Sequence, residues 1–297
     1  MIRMRQLLRG YSWKENMLAY MLLLPSLVFL AAFTIYPIIK VVDWSFYESA
    51  MGIKHYVGIK LYERVLHDDV FLKVLRNNLL LAIVTVPVSV LLALYMAIWV
   101  NNKLRGTSLI RAAFFYPTLI PMIAIANIWL FIYTPDYGLL DKFLRLLGID
   151  GPNWLGDPSW VLVSMMGMLI WKEAGYFMIF YLAGLQSLPK EVYEAAEIDG
   201  VKPLRKFASI TFPLIMPTTL FVLVIATTNS FKLVDHIYIM TKGGPNNASN
   251  LLLFHIYETA FSFWDMGTAS VLTVILLAIL LVVSILYYGI LDKRIHY

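Results

Sequence analysis

Residues 77–102 read NNLLLAIVTVPVSVLLALYMAIWVNN, and no Asp, Glu, Lys or Arg lies between Arg76 and Lys103. About 20 apolar residues in a helix cross the roughly 30 Å hydrocarbon core of a bilayer, since each residue rises about 1.5 Å. This stretch of 26 residues is therefore long enough to span a membrane.

The rest of the chain repeats the same pattern. Charge-free runs of similar length fill residues 16–39, 112–135, 207–231 and 266–291, and another apolar stretch is interrupted only by Lys172-Glu173. The sequence therefore predicts an all-α fold, a polytopic bundle of six transmembrane helices, with spans near 17–39, 79–100, 112–133, 161–185, 212–231 and 270–291. Proline occurs inside several runs and predicts kinks, because neighbouring helices can satisfy the freed carbonyls.

Composition agrees with a membrane protein. Hydrophobic residues make up 60% of the chain and charged residues 14%, against about 45–50% and 25% in soluble domains. The net charge of +5 is not arranged as a basic stripe with exposed aromatic residues, which argues against nucleic-acid binding. The chain has no cysteine, which excludes disulfides, thiolate metal sites and cysteine nucleophiles.

Basic residues predict the orientation. Lys and Arg are retained on the cytoplasmic side of a membrane. Segments 1–16, 101–111, 189–211 and 292–297 carry 13 of them in 56 residues, whereas the alternating segments carry 10 in 104 residues. Both termini are therefore expected in the cytoplasm. The first apolar run is too long for the core of a cleaved signal peptide, so it is expected to remain as a span.

The loop before the fifth span, residues 187–213, reads SLPKEVYEAAEIDGVKPLRKFASITFP. Pro189 suits a first helical turn, Gly200 can end that helix in the left-handed conformation, and Pro203 can begin a second helix. Lys202 and the basic residues after it could contact anionic lipid head groups. The segment predicts a rigid elbow of two short helices at the membrane surface.

This elbow resembles the EAA loop of ABC importer permeases. The matching positions are Glu194, Ala195, Ala196, Asp199, Gly200, Ile210 and Pro213. The resemblance implies that the loop is the coupling helix, which docks into the ATPase subunit with its small Ala195-Ala196 centre. The alternative is an ordinary amphipathic loop on the membrane. Phe212 stands where the family usually has leucine.

Further segments resemble the carbohydrate-uptake branch of that family, namely residues 19–37, 114–132, 153–158 and 237–245. The resemblance implies a type I ABC importer permease fold. Residues 1–70 would hold the cytoplasmic N-terminus, the first span and the start of the first outer loop, residues 71–291 the permease core, and 292–297 a cytoplasmic tail.

The same resemblance implies the location and partners of the protein. The chain would lie in the prokaryotic cytoplasmic (inner) membrane. It would assemble with a second related permease, two ATPase subunits and an external solute-binding protein. It would bind no cofactor itself, because ATP and Mg²⁺ would be held by the ATPase subunits.

Polar residues within the spans are candidates for the solute path. An ionised group in a span is costly unless it is paired or faces water. Trp171 precedes the pair Lys172-Glu173, and Tyr176 lies one helical turn after Lys172 on the same face. A sugar could bind to such side chains, because its hydroxyl groups can bond the charged groups and its apolar ring face can pack on an aromatic ring. Ion pairing between helices is the alternative for the charged pair. Further candidates are Asn127, Asn229, Ser230 and Lys232, which could equally join helices.

Other functions of a membrane protein fit the sequence less well than an ABC importer permease. The five histidines are scattered and form no metal-ligand spacing, which disfavours a membrane enzyme. Carboxylates or histidines in several spans, expected of a secondary transporter, are not evident. A permease for glycerol phosphate or its diesters is the alternative within the family, although the spans contain no cluster of arginines.

Overall fold

The computed structural model describes residues 13–50, 53–101 and 106–291. The predicted tail 292–297 and residues 1–12 of the predicted N-terminal segment lie outside these ranges. Within them the chain forms one β-hairpin, three π-helical segments (Ala31–Ile35, Phe207–Thr211 and Glu258–Ser262) and fifteen α-helices. The helices are α1 (Trp13–Leu30), α2 (Tyr36–Trp44), α3 (Lys60–Leu66), α4 (Asp69–Asn101), α5 (Thr107–Leu119), α6 (Met122–Ile132), α7 (Leu139–Leu146), α8 (Val161–Gln186), α9 (Lys190–Ile198), α10 (Pro203–Lys206), α11 (Phe212–Leu214), α12 (Met216–Phe231), α13 (Asp235–Met240), α14 (Leu252–Tyr257) and α15 (Met266–Leu291).

Five helical segments of the described chain are long and apolar enough to cross a membrane. They are Met17–Trp44, Asp69–Asn101, Val161–Gln186, Met216–Met240 and Met266–Tyr287. A sixth span forms only if α5 and α6 are counted together, because they are bent by 102°. The all-α membrane bundle predicted from the apolar runs is confirmed.

The third span is not the single helix predicted for residues 112–133. It breaks between α5 and α6 at Ile120, which is extended with ψ of 130°. The next residue, Pro121, disfavours the helical conformation for Ile120 and has no N–H to donate to Pro117 four residues earlier. Proline therefore divides this span rather than bending it gently.

The fifth span also begins later than the predicted residue 212. The regular helix α12 starts at Met216, and before it the chain passes through a π-helical segment and the three-residue α11. Pro213 and Pro217 lie four residues apart. Since neither has an N–H, the helical hydrogen bonds to Ser209 O and to Pro213 O cannot form there.

The core is built around α4, α8 and α12. Ala93 and Ala97 of α4 are fully buried in one cluster with Phe177 and Met178 of α8 and Val222 of α12. Small side chains at the contact let the helices approach closely, as is usual for membrane helices. The central helices therefore form a packed frame for the polar groups described below.

The segment between α2 and α3, predicted to lie in the first outer loop, contains a β-hairpin that the sequence did not predict. Its strands, β1 (Tyr47–Ala50) and β2 (Ile53–Tyr56), pair antiparallel. Arg64 donates to Glu48 at 2.8 Å, and this bond raises the pKa of Arg64. Leu61 and Val65 of α3 are buried with residues of α15. Helix α3 thus packs against the membrane helices.

Candidate functional site

The elbow has the geometry of a capped helix. Gly200 follows α9 with φ of +67°. The N–H of Val201 donates to Ala196 O at 3.0 Å and that of Gly200 to Glu197 O at 3.1 Å. This pair of bonds is a Schellman motif, which satisfies carbonyls at the helix end. The predicted arrangement of two short helices around Gly200 is confirmed.

Side-chain bonds join the elbow to the start of the fifth span. The hydroxyl groups of Tyr193 and Thr211 lie 2.9 Å apart, and Lys206 Nζ donates to Glu197 Oε1 at 2.9 Å. The Glu197 side chain is exposed, so this ion pair contributes little by itself. Tyr193 and Lys206 were not among the predicted coupling residues, because neither belongs to the EAA pattern.

The elbow helix α9 has two different sides. Tyr193, Glu194 and Glu197 line a cavity of about 940 Å³ between α9 and the membrane helices. Val192, Ala195 and Ile198 do not line it, and Ile198 is 86% exposed. Ala196, predicted to share a docking surface with Ala195, is instead 5% exposed within the chain itself. Only Ala195 of that pair is available to a partner.

The remaining coupling candidates lie around the elbow. Asp199 is exposed at the end of α9. Ile210 is half-buried in the π-helical segment, and Pro213 is exposed in α11. These two residues therefore shape the connection to the fifth span rather than the outward side of α9.

A second polar site lies between α8 and the segment α12–α13. It is a cavity of about 200 Å³ lined by Met122, Leu169, Lys172, Glu173, Asn229, Lys232, Leu233, Val234, Asp235 and His236. Asn229 Nδ2 donates to Glu173 Oε2 at 3.3 Å, which joins α12 to α8. Lysine and carboxylate side chains occur in equal number in this lining. The cavity can thus offer donors and acceptors to one ligand without a large net charge.

Lys172 is bonded to backbone. Its Nζ donates to Ile120 O at 3.0 Å and to Pro117 O at 3.5 Å. Both carbonyls belong to the end of α5, where the third span breaks. Lys172 thus connects the wall of the cavity to the break.

Three predicted path residues lie outside this cavity, and Ser230 lies beside it, in a smaller cavity that Glu173 and Asn229 also line. Asn127 donates to Ile123 O of its own helix at 2.8 Å. Trp171 is 44% exposed and packs edge-on to Trp129 with ring centroids 5.6 Å apart. Tyr176 packs against Phe180, and buried Ser230 donates to Thr227 O at 2.7 Å. The predicted group of four residues around Lys172 is therefore not one site.

Asp235 and His236 belong to the cavity although the sequence did not single them out for it. His236 is 1% exposed, and both of its ring nitrogens lack a hydrogen-bond partner within the described ranges. The sequence signal was weak, since these residues follow Lys232 by only a few positions in a short turn. Their place depends on how α13 packs against α6.

The loop around Gly244, which is predicted to be the last outer loop, is held by polar contacts. Lys73 Nζ donates to Asn246 O at 2.5 Å, and Asn77 Nδ2 donates to Asn247 O at 2.8 Å. Ser249 Oγ donates to Gly244 O at 2.6 Å. The turn predicted at Gly243-Gly244-Pro245 is thus fixed to the beginning of α4.

Known proteins resemble this chain over most of its length. Residues 89–297 match the family described as "Binding-protein-dependent transport system inner membrane component". The chain is 31% identical to the trehalose/maltose transport system permease protein MalF of Thermococcus litoralis, over 93% of this chain and 94% of that protein. It is also 31% identical to the sn-glycerol-3-phosphate transport system permease protein UgpA of Agrobacterium fabrum, over 95% of this chain and 97% of that protein.

Solved structures share the fold. A bacterial ABC transporter involved in the import of the acidic polysaccharide alginate matches with a TM-score of 0.81 and 22% identity, covering 94% of this chain and 96% of that one. A bacterial alginate ABC transporter in complex with an alginate pentasaccharide-bound periplasmic protein matches with a TM-score of 0.80 and 22% identity. This match covers 93% of this chain and 94% of that one.

Proposed function

Because this chain belongs to the family of inner membrane components of binding-protein-dependent transport systems, we propose that it forms one wall of the solute path of an ATP-driven sugar importer. The chain is a multi-pass inner-membrane permease subunit, and its family and relatives are transport subunits rather than enzymes. The observation that carries the solute path is the polar cavity beside the broken third span, where Glu173 and Asn229 meet.

The chemistry of the cavity favours a sugar over a phosphate ester. Glu173, Asn229 and Asp235 can bond hydroxyl groups, while Met122 and Leu169 can contact an apolar ring face. A phosphate needs concentrated positive charge. Two carboxylates lie in the same lining as the two lysines, and the Lys172 ammonium already donates to carbonyls. A glycerol phosphate permease is the second candidate, since UgpA is similarly related.

The ATPase partner is proposed to dock on the outward side of α9. Val192, Ala195 and Ile198 follow each other at intervals of three residues, so they lie near one another on the helix. Leu204 of α10 is 82% exposed beside this helix. An apolar strip with a small residue at its centre suits insertion into a partner's groove. ATP and Mg²⁺ would be bound by two such ATPase subunits, and this chain would bind no cofactor.

A second, related permease is proposed to complete the path. The segment Met17–Trp44 is 28 residues long and none of its most apolar window is buried within the chain. Its last part, α2, packs against α15. Lipid can cover the exposed part, but one wall with such a helix beside it does not enclose a path for a polar solute. A related subunit packed along this surface would enclose the path.

The solute-binding protein is proposed to dock on the outer loops. The rigid loop around Gly244 and the hairpin with the exposed Tyr56 lie in segments predicted to be outside the membrane. Binding there would present the solute to the cavity lined by Glu173 and Asn229. In this arrangement α9 and both termini are cytoplasmic.

We expect Glu173→Ala to raise the KM for sugar uptake by about tenfold or more, because a charged acceptor in the path is lost. Uptake and sugar-stimulated ATP hydrolysis would be measured in proteoliposomes containing the assembled transporter. Asn127→Ala is the matched control, since Asn127 bonds only its own helix. An unchanged KM for Glu173→Ala, or equal effects of both variants, would contradict the proposed path.

We also expect Ile198→Cys to resist a membrane-impermeant thiol reagent added to whole cells, and Asp150→Cys to react with it. Both positions are exposed, and the natural chain has no cysteine to interfere. The readout is the fraction of labelled protein before and after permeabilisation. Labelling of Ile198→Cys from outside would contradict the cytoplasmic location of α9.

A further inference from the structure

We propose that Lys172 is a positioning residue, whose ammonium holds the break in the third span and thereby sets the place of α6 at the cavity. The inference depends on the proposed function only for its transport readout. It concerns the backbone contact of Lys172 and not a contact with solute.

The break leaves backbone acceptors without their helical donors. In a continuous helix the N–H of residue 121 would donate to Pro117 O, but Pro121 has none. The extended ψ of Ile120 turns the chain, and α6 leaves α5 at 102°. The only backbone donor recorded for Pro117 O in the described ranges is Ile120 N at 3.4 Å, a long bond. Unsatisfied carbonyls are costly away from water.

Lys172 supplies the missing donor from another helix. Its Nζ lies 3.0 Å from Ile120 O and 3.5 Å from Pro117 O. A cation is also favoured at the carboxyl end of a helix, where the partial charge is negative. The ammonium thus donates to Ile120 O at the end of α5, whereas its contact with Pro117 O is longer than that of the Ile120 N–H. Glu173 accepts from Asn229 on the other side.

The bond lies where it can control α6. On one side of the break, α5 is held against α8, because Gly175 has no side chain to separate its backbone from Phe114 O. On the other side, α6 packs against α13, which carries Asp235 and His236. Met122, the first residue of α6, lines the cavity itself. Loss of the Lys172 bond would therefore release the wall formed by α6 while α5 stays in place.

The proposal is tested by a double-mutant cycle between Lys172→Met and Pro121→Ala. Lys172→Met keeps the length of the side chain but removes the donor, and we expect about a tenfold loss of uptake. Pro121→Ala lets the backbone continue as a helix, in which the N–H groups of residues 121 and 124 can donate to Pro117 O and Ile120 O. Lys172→Met should therefore cost clearly less in that background. Lys172→Arg, which retains a cationic donor, should recover part of the activity. If the loss of uptake in the double variant were the product of the losses in the two single variants, the proposal would be overturned.

A distance measurement separates this inference from the proposed function. Spin labels at Leu109→Cys on α5 and Ile128→Cys on α6 would report the angle between the two halves, since both side chains are exposed. Lys172→Met should shift or broaden the distance distribution in the assembled transporter, and Lys172→Arg should restore it. An unchanged distribution would overturn the positioning role whatever the solute is. Failure of the unmutated transporter to take up sugar would overturn only the proposed function.

Discussion

Replacing Ala195 with arginine should lower sugar uptake by at least about tenfold, the equivalent of about 1.4 kcal/mol of coupling. The reason is steric and electrostatic, because a packed interface has no room for a long cation where a methyl group stood. Ala195 lies at the centre of the outward side of α9, between Val192 and Ile198. The measurement is co-purification of the ATPase subunits with the membrane subunits, together with uptake in proteoliposomes.

Ala195→Ser is the matched control, since it adds one oxygen atom and should leave uptake near that of the natural protein. Both variants should insert normally, because no span is altered. Ala196→Asp serves a different purpose, since Ala196 is buried against its own chain and its replacement disturbs the elbow itself. If Ala195→Arg kept wild-type uptake and retained the ATPase subunits fully, the proposed docking of the ATPase on the outward side of α9 would be contradicted.

Gly175→Ala should destabilise the bundle, by about 1–3 kcal/mol or more as for overpacked cores. A Cβ at this position would meet the backbone oxygen of Phe114, which cannot rotate away as a side chain can. The helices α5 and α8 would have to separate, and the bond from Lys172 to the end of α5 would lengthen. The midpoint of thermal unfolding of the detergent-solubilised transporter measures the effect.

Gly167→Ala on the same helix is the control for this change. There a Cβ would lie 3.5 Å from the hydroxyl oxygen of Tyr133, an ordinary contact. Its unfolding midpoint should stay near that of the natural protein. Helix propensity favours alanine over glycine and cannot lower the midpoint. Equal losses for Gly167→Ala and Gly175→Ala would therefore show that the contact with Phe114 is not the cause.

The structure changes the interpretation of Lys172-Glu173. A charged pair in a span signals a polar environment, but the sequence could not distinguish a solute contact from an internal bond. The structure separates them, because Glu173 accepts from Asn229 whereas Lys172 donates to the broken span. Trp171 and Tyr176, adjacent in sequence, contact other aromatic rings. Trp171 points away from Lys172 because consecutive residues on a helix point in different directions, and Tyr176, one turn after Lys172, packs against Phe180 instead. Closeness in sequence therefore did not predict a common site.

The sequence alone determined those features that depend on local pattern. Charge-free runs predict membrane helices because their length and apolarity are sufficient for insertion. The glycine and the prolines of residues 187–213 predict the elbow because each restricts or permits particular backbone conformations. Only the tertiary structure decided which side chains share the cavity, that Ala196 is buried and that Pro121 divides a span at 102°. These features depend on packing between helices distant in sequence, as with Asn229 and Glu173, and no local pattern encodes those distances.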